Sequence, residues 1–572
     1  MTQETRLDSM TRGWRGPLLA ALIAFVAGLP GLIAVPPLDR DESLFAQATA
    51  QMLETGDFID IRYQDHPREK KPVAINWLQA ASVSATSSVE ARRIWAYRIP
   101  SLLGAMLAAA ALAWGVRRFY GSGIGLIAGA VFASTFLLST EAEIAKTDAV
   151  LCGATTLTMA ALARIYAASR LDDGEGAGWR TKLLFWLGLA VGVLDKGPIG
   201  PMVALLAGLT LWAWDRKAPW ARGLGWSWGL MLILLIAGPW AVAITVRTDG
   251  QFWTGAIGGD LAPKLAKGDS GHGGPPGYHA LLSILLFFPA TALLPAALVQ
   301  GWKARAETGI RFAVAWLVPA WLVFELSPTK LPHYPLPAYG ALALLAAVAV
   351  TRPTGRISGW IGAGLSLFAG IAVAVAAGVL EVKYGAGRTL GWAIAAGALG
   401  LLAGVCGAAA AKLSARRRTA LGAALAFGVA AHGALAAGLA PRLGQLWLSR
   451  RLIAALDWLH LDPRAGLVPG PVTVVGYAEP SLVFGLGTDT EFGDVGDAAN
   501  AISEGRPAVV EQRQDPAFQR ELAADGLSAT AVGTVSGVDY TVGRNEKLII
   551  YRSDNPPQPD APDAGPDQGA AP

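Results

Sequence analysis

The sequence predicts an α-helical polytopic membrane protein with a small soluble α/β domain near its C-terminal end. Of the 572 residues, 53% are hydrophobic and only 16% are charged, and the mean hydropathy is +0.40. This composition is too apolar for a soluble enzyme. The net charge of +4 is small, and the basic residues form short clusters between apolar runs. These clusters therefore indicate membrane topology, and we expect no nucleic-acid partner.

Apolar runs of the length that crosses a bilayer predict about 13 spans. They lie at 15–35, 97–116, 122–139, 148–167, 182–195, 198–214, 226–246, 279–299, 310–326, 334–351, 358–379, 389–411 and 419–441. Basic clusters recur on the side of the N-terminus, which the positive-inside rule assigns to the cytoplasm. We therefore expect a multi-pass membrane protein with a cytoplasmic N-terminus and a C-terminal domain on the opposite side of the membrane.

The first periplasmic loop, at 36–77, concentrates acids, bases and aromatic residues in an otherwise apolar chain. Helical spacing of Leu44, Phe45, Ala48 and Met52 predicts an amphipathic helix that stops at Gly56. A second helix is expected after the charged middle of the loop, with Pro72 suited to its first position. Two membrane-skimming helices joined by a charged loop form a cradle, so the sequence predicts the catalytic centre here.

Further polar groups collect on the same side of the membrane. They are the turn at 141–148, the Asp195-Lys196 pair and the long glycine-rich loop at 247–279. Polar residues on one face of a membrane bundle indicate a site at that interface. His272 and His279 in the long loop are the candidate metal ligands, although a loop histidine is more often solvated. The chain has no P-loop or Rossmann glycine pattern that would mark a nucleotide site.

We expect three regions along the chain. Residues 1–444 form the membrane domain, and residues 445–553 form the periplasmic α/β domain. Strands are expected at 472–477, 508–512, 527–535 and 548–551, with an amphipathic helix at 451–460. The tail at 554–572 is rich in Pro, Asp, Ala and Gly and is expected to be disordered.

Four motifs in order resemble a known family. They are DRDE…MLETGDF…KKPVAINWLQ in the first loop, AKTDAVL at 145–151, DKGPIGPMVALL at 195–206 and SPTKLPHYPLPAYGALALL at 327–345. The chain resembles the polyprenyl-phosphate-sugar-dependent glycosyltransferases, which include the aminoarabinose transferases of lipid A and, more distantly, the protein O-mannosyltransferases. The resemblance covers roughly residues 15–350. It implies the GT-C fold, a multi-span helical bundle whose periplasmic active site is built on the first loop.

The resemblance also implies roles for individual residues. It makes Asp41 the catalytic acidic residue, with Glu42 beside it, and it makes Asp148 the second carboxylate of the site. The candidates for binding the lipid phosphate of the donor are Lys70, Lys71, Lys330, His333 and Tyr334. The relatives have a glutamate where this chain has Lys70, so a divalent metal stays an open possibility. The aminoarabinose transferases have an arginine where this chain has Leu44, so the sugar or the acceptor of this protein can differ from theirs.

These residues suit transfer from a lipid-linked sugar. A phosphate is a good leaving group, so the enzyme needs a carboxylate to deprotonate an acceptor hydroxyl and cations to hold the phosphate. Asp41 and Lys71 fit these two needs. Ordinary structural roles compete with them, because Asp41 and Asp148 could cap helices and Lys71 could anchor a helix at lipid headgroups.

The sequence and the resemblance together predict an inverting membrane glycosyltransferase. It would move a sugar from undecaprenyl phosphate to an envelope glycolipid or polysaccharide acceptor such as lipid A. One alternative is a protein O-glycosyltransferase, which differs only in its acceptor. The other is a flippase or transporter of lipid-linked sugars. A transporter should carry broken helices with ionisable groups near the middle of the membrane, whereas here the charges lie in loops on one face.

Overall fold

The computed structural model describes residues 8–171, 176–266 and 273–554, and these are mostly helical. The chain divides into two compact units. The membrane unit comprises Met1–Val35 and Ala48–Leu443, and the C-terminal unit comprises Pro36–Gln47 and the chain from Gly444 onward. The start of the first loop thus clusters with the C-terminal unit although it follows the first helix in sequence.

The membrane unit is built from helices joined by short turns. They are α1 (Arg15–Ala34), α2 (Asp41–Thr55, which begins in the C-terminal unit), α3 (Ala74–Thr86), α4 (Ile94–Ala133), α5 (Phe136–Glu141), α6 (Thr147–Ala168), α7 (Trp179–Lys196), α8 (Ile199–Asp215), α9 (Trp226–Arg247), α10 (Tyr278–Leu286), α11 (Leu294–Lys303), α12 (Thr308–Leu326), α13 (Leu336–Val350), α14 (Arg356–Leu380), α15 (Leu390–Lys412) and α16 (Arg417–Gly433). A two-stranded hairpin of β1 (Arg62–Tyr63) and β2 (His66–Pro67) lies between α2 and α3.

Within the described ranges, eight helices are long and apolar enough to cross a membrane, and α8 and α13 are shorter apolar helices. The chain is therefore a multi-pass membrane protein. Helix α4 covers the predicted span at 97–116 and most of that at 122–139, with its backbone broken between them at Gly121, where φ is 84°. The end of the second span lies in α5. The span predicted at 279–299 is not one continuous helix. It is divided into α10 and α11, and Pro289 lies in the break, where a proline cannot continue a helix.

Small residues let the central helices pack closely. A Cβ added at Gly104 on α4 would lie 2.5 Å from the carbonyl oxygen of Ala149 on α6, and one at Gly153 would lie 2.6 Å from that of Gly104. Such contacts suit helices in lipid, where backbone proximity replaces the hydrophobic drive. The fully buried Arg98 of α4 donates to the carbonyls of Gly31, Leu32 and Val35 at 3.2, 3.2 and 2.6 Å. This bonding fixes the end of α1, from which the first loop departs.

The first loop follows its sequence pattern closely. Helix α2 ends at Thr55, and Gly56 adopts the left-handed φ of 71° that terminates it, as predicted. Ala48 and Met52 of α2 pack with Val73, before α3, and with Trp240 and Phe252. Helix α3 begins at Ala74, two residues later than predicted. Lys71 therefore lies in the loop before this helix.

The C-terminal unit contains a five-stranded sheet in the order β4-β3-β5-β7-β6. Its elements are α17 (Leu448–Trp458), β3 (Thr473–Val475), α18 (Pro480–Leu486), β4 (Glu491–Gly493), α19 (Val495–Ser503), β5 (Ala508–Glu511), α20 (Asp515–Ala524), β6 (Ala529–Asp539) and β7 (Arg544–Ser553). Strand β3 pairs in parallel with β4 and β5, while β7 is antiparallel to β5 and β6. Buried residues of α17, the central strands and the β6–β7 hairpin form its core. Strand β4 was not predicted.

Candidate active site

The two acidic residues at the start of α2 have different surroundings. Leu38 N–H donates to Glu42 Oε2 at 2.8 Å, and Ser43 Oγ donates to the carbonyl of Leu38 at 2.5 Å. Glu42 is 1% exposed and so helps to close the start of the helix. Asp41 is exposed, and no hydrogen bond or ion pair joins its side chain to any residue of the described ranges. Asp41 can therefore accept a proton from a bound molecule, while Glu42 already has a structural partner.

A second group of charges lies in the membrane unit around Asp148, in the first turn of α6. Its Oδ1 is 2.6 Å from Nζ of Lys196, at the end of α7, and its Oδ2 is 3.5 Å from Nζ of Lys146. Lys146 Nζ is also 3.0 Å from Oε2 of Glu141. His333 Nε2 lies 3.6 Å from Asp148 Oδ1. Five side chains from three stretches of the chain, the turn at 141–148, the end of α7 and the loop before α13, thus form one cluster, which we call the Asp148 cluster.

The Asp148 cluster has an excess of positive charge. Burial raises the pKa of Glu141 to about 7, although Lys146 opposes this rise. Burial lowers the pKa of His333 to about 3, so its imidazole is neutral. With His333 neutral and the pKa of Glu141 raised, the carboxylates of the cluster only partly balance its two lysines. Such a cluster favours an anion as its ligand.

Lys71 forms a neighbouring ion-pair group with the long loop. Its Nζ is 2.5 Å from Oδ2 of Asp260, whose Oδ1 is 2.6 Å from Nζ of Lys264. Asp260 is 8% exposed. Burial lowers the pKa of Lys71, Asp260 opposes that effect, and the charge of Lys196 lowers the pKa further. The influence of Lys196 indicates that the two groups of lysines act on each other electrostatically.

The remaining predicted donor ligands have different surroundings. Lys330 is 8% exposed and donates to the carbonyl of Gly274 at 3.0 Å. The ring of Tyr334 packs edge-on against His333, with the centroids 5.4 Å apart. Lys70 is exposed, and its ammonium contacts no partner among the described residues. The structure therefore brings His333 and Tyr334 to the Asp148 cluster and leaves Lys70 outside it.

Of the two candidate metal ligands, the structure describes His279 alone. His279 is buried, with Nδ1 3.3 Å from Glu325 Oε2 and Nε2 3.1 Å from the carbonyl of Leu331. Glu325 also accepts from the N–H of Gly277 at 2.9 Å. His272 lies outside the described residues. Within the described ranges, no group of three or more His, Cys, Asp or Glu side chains is arranged to hold a metal ion.

Sequence reasoning did not assign the partners that complete these groups. Glu141, Lys146, Lys196, Asp260 and Lys264 were recognised only as members of charged turns and loops. Lys196 had a usable signal, because it ends a helix just before Gly197, which takes a φ of 60°, and a basic residue is favourable there. The Lys71–Asp260 pair spans 189 residues of sequence, and no local pattern reports such a contact.

Parts of this chain are similar in sequence to known proteins. The family model described as dolichyl-phosphate-mannose-protein mannosyltransferase matches residues 45–254. An undecaprenyl phosphate-alpha-4-amino-4-deoxy-L-arabinose arabinosyl transferase of Pseudomonas aeruginosa (strain UCBPP-PA14) is 29% identical over 336 residues, which is 57% of this chain and 58% of the relative. An enzyme of the same name from Enterobacter sp. (strain 638) is 27% identical over 333 residues, 56% of this chain and 58% of the relative. The aligned part of this chain thus spans less than two thirds of the length of these relatives.

The fold likeness extends over nearly the whole chain. The crystal structure of ArnT from Cupriavidus metallidurans bound to undecaprenyl phosphate superposes with a TM-score of 0.73 at 19% identity, covering 95% of this chain and 98% of that one. The apo structure of the same protein gives a TM-score of 0.71 at 20% identity, covering 93% and 96%. These findings confirm the resemblance: the chain has the GT-C fold of this structure and is similar in sequence to aminoarabinose transferases and, over residues 45–254, to the protein mannosyltransferase family model.

Proposed function

We propose that this protein is an inverting glycosyltransferase that moves a sugar from undecaprenyl phosphate to a glycolipid or polysaccharide of the cell envelope, such as lipid A. The observation that carries the proposal is the excess of lysines over charged carboxylates in the two groups around Asp148 and Lys71. A phosphate held by these lysines would replace Asp260 as the partner of Lys71. The relatives named for transfer from undecaprenyl phosphate support the same donor.

The proposed reaction needs one proton acceptor and one anion site. The acceptor hydroxyl attacks the anomeric carbon while the bond from that carbon to the phosphate oxygen breaks. The proton passes to the free carboxylate of Asp41, and the released undecaprenyl phosphate keeps the bonding electrons. Its new negative charge is stabilised by Lys71 and the lysines of the Asp148 cluster. A single displacement of this kind inverts the anomeric configuration.

The proposal includes a topology. The active site faces the periplasm of an inner-membrane protein with about 13 spans and a cytoplasmic N-terminus. Residues 1–444 carry out the transfer and 445–553 form a periplasmic α/β domain, whereas the tail expected to be disordered lies, from residue 555 onward, outside the described residues. The shorter apolar helices α8 and α13 would then cross the membrane as well. Cysteine labelling from each side of the membrane, at exposed positions such as Asp65 and Arg222, tests this orientation.

A reconstituted transfer assay tests the activity. Purified protein in lipid nanodiscs receives synthetic undecaprenyl-phosphate sugars together with lipid A, polysaccharide or peptide acceptors, and products are identified by mass spectrometry. We expect a glycosylated lipid or polysaccharide with inverted configuration. Transfer to peptides alone would change the acceptor class to protein. Movement of the lipid-linked sugar across a bilayer without any transfer would contradict the enzyme and favour a flippase.

A further inference from the structure

The segment that leads into Asp41 is bound by the β6–β7 turn of the C-terminal unit. The N–H of Asp39 donates to the phenolic oxygen of Tyr540 at 2.7 Å. Arg40 Nη2 donates to Oγ1 of Thr541 at 2.9 Å. Both partners lie in the turn between the two longest strands of the sheet, and both bonds reach the two residues just before the proposed base.

The backbone at Arg40 requires such support. Its φ is 63°, a left-handed conformation that is unfavourable for a residue with a Cβ. Residues persist in such conformations when the surrounding structure determines them from several sides, and they cluster at functional sites. Here the φ of Arg40 sets the direction in which α2 begins, and Asp41 is the first residue of α2. The bonds to Tyr540 and Thr541 hold the backbone just before Arg40 and the Arg40 side chain itself.

A buried carboxyl completes the anchor. Glu479 is 4% exposed, and its Oε1 lies 2.5 Å from Oγ1 of Thr541 and 3.7 Å from Nε of Arg40. Oδ1 of Asp539 lies 2.7 Å from the same threonine oxygen. The hydroxyl of Thr541 is therefore positioned by the carboxyl groups of Glu479 and Asp539, and it accepts a hydrogen bond from Arg40. Burial raises the pKa of Asp39 to about 6, and hydrogen bonds of its side chain with Ser481 and Tyr540 oppose this rise.

A second contact secures the other end of the segment. Gln47 is fully buried, and its Nε2 donates to Oγ1 of Thr488 at 2.8 Å. The segment at 36–47 is thus bonded to the C-terminal unit both before and after Asp41. Asp41 itself, between these contacts, has an exposed side chain. Bonds of this kind restrict the backbone while they leave the carboxylate free.

We propose that Tyr540 and Thr541 are positioning residues, which hold the Asp39–Arg40 turn so that the Asp41 carboxylate is presented to the acceptor. This inference rests on the proposed function, and it assigns the C-terminal unit a part in the transfer step. Because these residues act through the backbone before Asp41, their loss lowers the rate of the chemical step. It leaves the affinity for the donor phosphate unchanged, because that phosphate is assigned to the lysines of the membrane unit.

The test compares Tyr540→Phe and Thr541→Val with Tyr551→Phe in the full-length protein. Tyr551 is the matched control, because its hydroxyl bonds Asp515 and Gln519 within the same unit and not the segment at 36–47. We expect kcat to fall about five- to tenfold in each of the first two variants, with the KM for the donor within about twofold of wild type. Thr541→Ser keeps the hydroxyl and restores kcat. Tyr551→Phe keeps wild-type kcat.

Amide hydrogen exchange of the peptide 36–47 supplies a readout that does not depend on activity. Exchange is expected to be about fivefold faster in Tyr540→Phe and Thr541→Val and unchanged in Tyr551→Phe. Unchanged exchange in the double variant Tyr540→Phe/Thr541→Val overturns the anchor, whatever the transfer assay gives. Faster exchange with an unchanged kcat overturns the positioning role. If the wild type transfers no sugar, the proposed function fails, and faster exchange in these variants still establishes the anchor.

Discussion

Replacing Asp260 with asparagine is expected to strengthen the binding of undecaprenyl phosphate, whereas Lys71→Met weakens it. In the structure Asp260 bridges Lys71 and Lys264, at 2.5 and 2.6 Å from their ammonium groups. A phosphate that binds Lys71 must compete with this carboxylate. Asparagine retains an oxygen that can accept from either lysine but removes the competing charge. The two substitutions therefore act in opposite directions on the same equilibrium.

The magnitude follows from the geometry of the ion pairs. Unit charges about 4 Å apart attract by about 4 kcal/mol at an effective dielectric constant near 20. Lys71 and Lys264 have 25% and 28% of their side chains exposed, so solvent reduces the net effect to about 1–2 kcal/mol. The dissociation constant for undecaprenyl phosphate should fall about five- to thirtyfold in Asp260→Asn. It should rise by a similar factor in Lys71→Met.

The assay is a native mass spectrometry or fluorescence titration of the purified protein with undecaprenyl phosphate. Asp249→Asn is the matched control. Asp249 is an exposed carboxylate of the same long loop, and asparagine tolerates its left-handed φ of 48°. The control is expected to bind like wild type. Weaker binding in Asp260→Asn would refute the reasoning, because Asp260 would then orient Lys71 for the phosphate and not compete with it.

Three further predictions concern stability, measured as the thermal midpoint in detergent. Gly31→Ala should lower stability by about 2 kcal/mol, because its methyl group would displace the Glu143 carboxylate, which accepts from the N–H of Gly31 at 3.0 Å. Gly364→Ala, with no atom within 4 Å of the added Cβ, should leave stability unchanged. An unchanged midpoint in Gly31→Ala would contradict this packing. Since burial raises the pKa of Glu141 from 4.5 to about 7, the folded state binds the proton more tightly, so stability falls as pH rises from about 4.5 to 7. Glu141→Gln should remove this decline, and a persisting decline would exclude Glu141 as its source. Asp195 is 0% exposed, and neither of its carboxylate oxygens has a hydrogen-bond partner in the described part of the chain. Asp195→Leu should therefore raise stability by about 1–2 kcal/mol. A large loss of stability in this variant would reveal an essential polar contact of Asp195.

Local sequence pattern accounts for much of the fold. The helical spacing of Phe45, Ala48 and Met52 gave α2, and Gly56 gave its end, because each depends only on residues within a few positions. Four strands of the C-terminal sheet were predicted from short runs of β-branched residues. Strand β4 was not, because it has only three residues, Glu491–Gly493, and owes its state to pairing with β3. Likewise, the break before α11 depends on one proline in an apolar run.

The candidate site was predictable only in part. Charged motifs identified Asp41, Lys71 and Asp148 one at a time, because each stands in a recognisable stretch. The pairing of Asp148 with Lys196, and of Lys71 with Asp260, depends on how helices and loops far apart in sequence pack together. The sequence also did not show which of the two acids at the start of α2 is bonded, since either Asp41 or Glu42 could cap the helix by its position alone.

The most direct test of the account is the transfer rate of Asp41→Asn, measured against wild type and Asp65→Asn with the same undecaprenyl-phosphate sugar and envelope glycolipid. Asp65 is an exposed carboxylate of the first loop and controls for loss of a charge there. Asp41→Asn is expected to lose transfer by at least about a hundredfold, with donor binding and thermal midpoint near wild type, and Asp65→Asn is expected to keep full transfer. Transfer that survives Asp41→Asn in a folded protein would contradict the central claim that this carboxylate receives the proton of the acceptor.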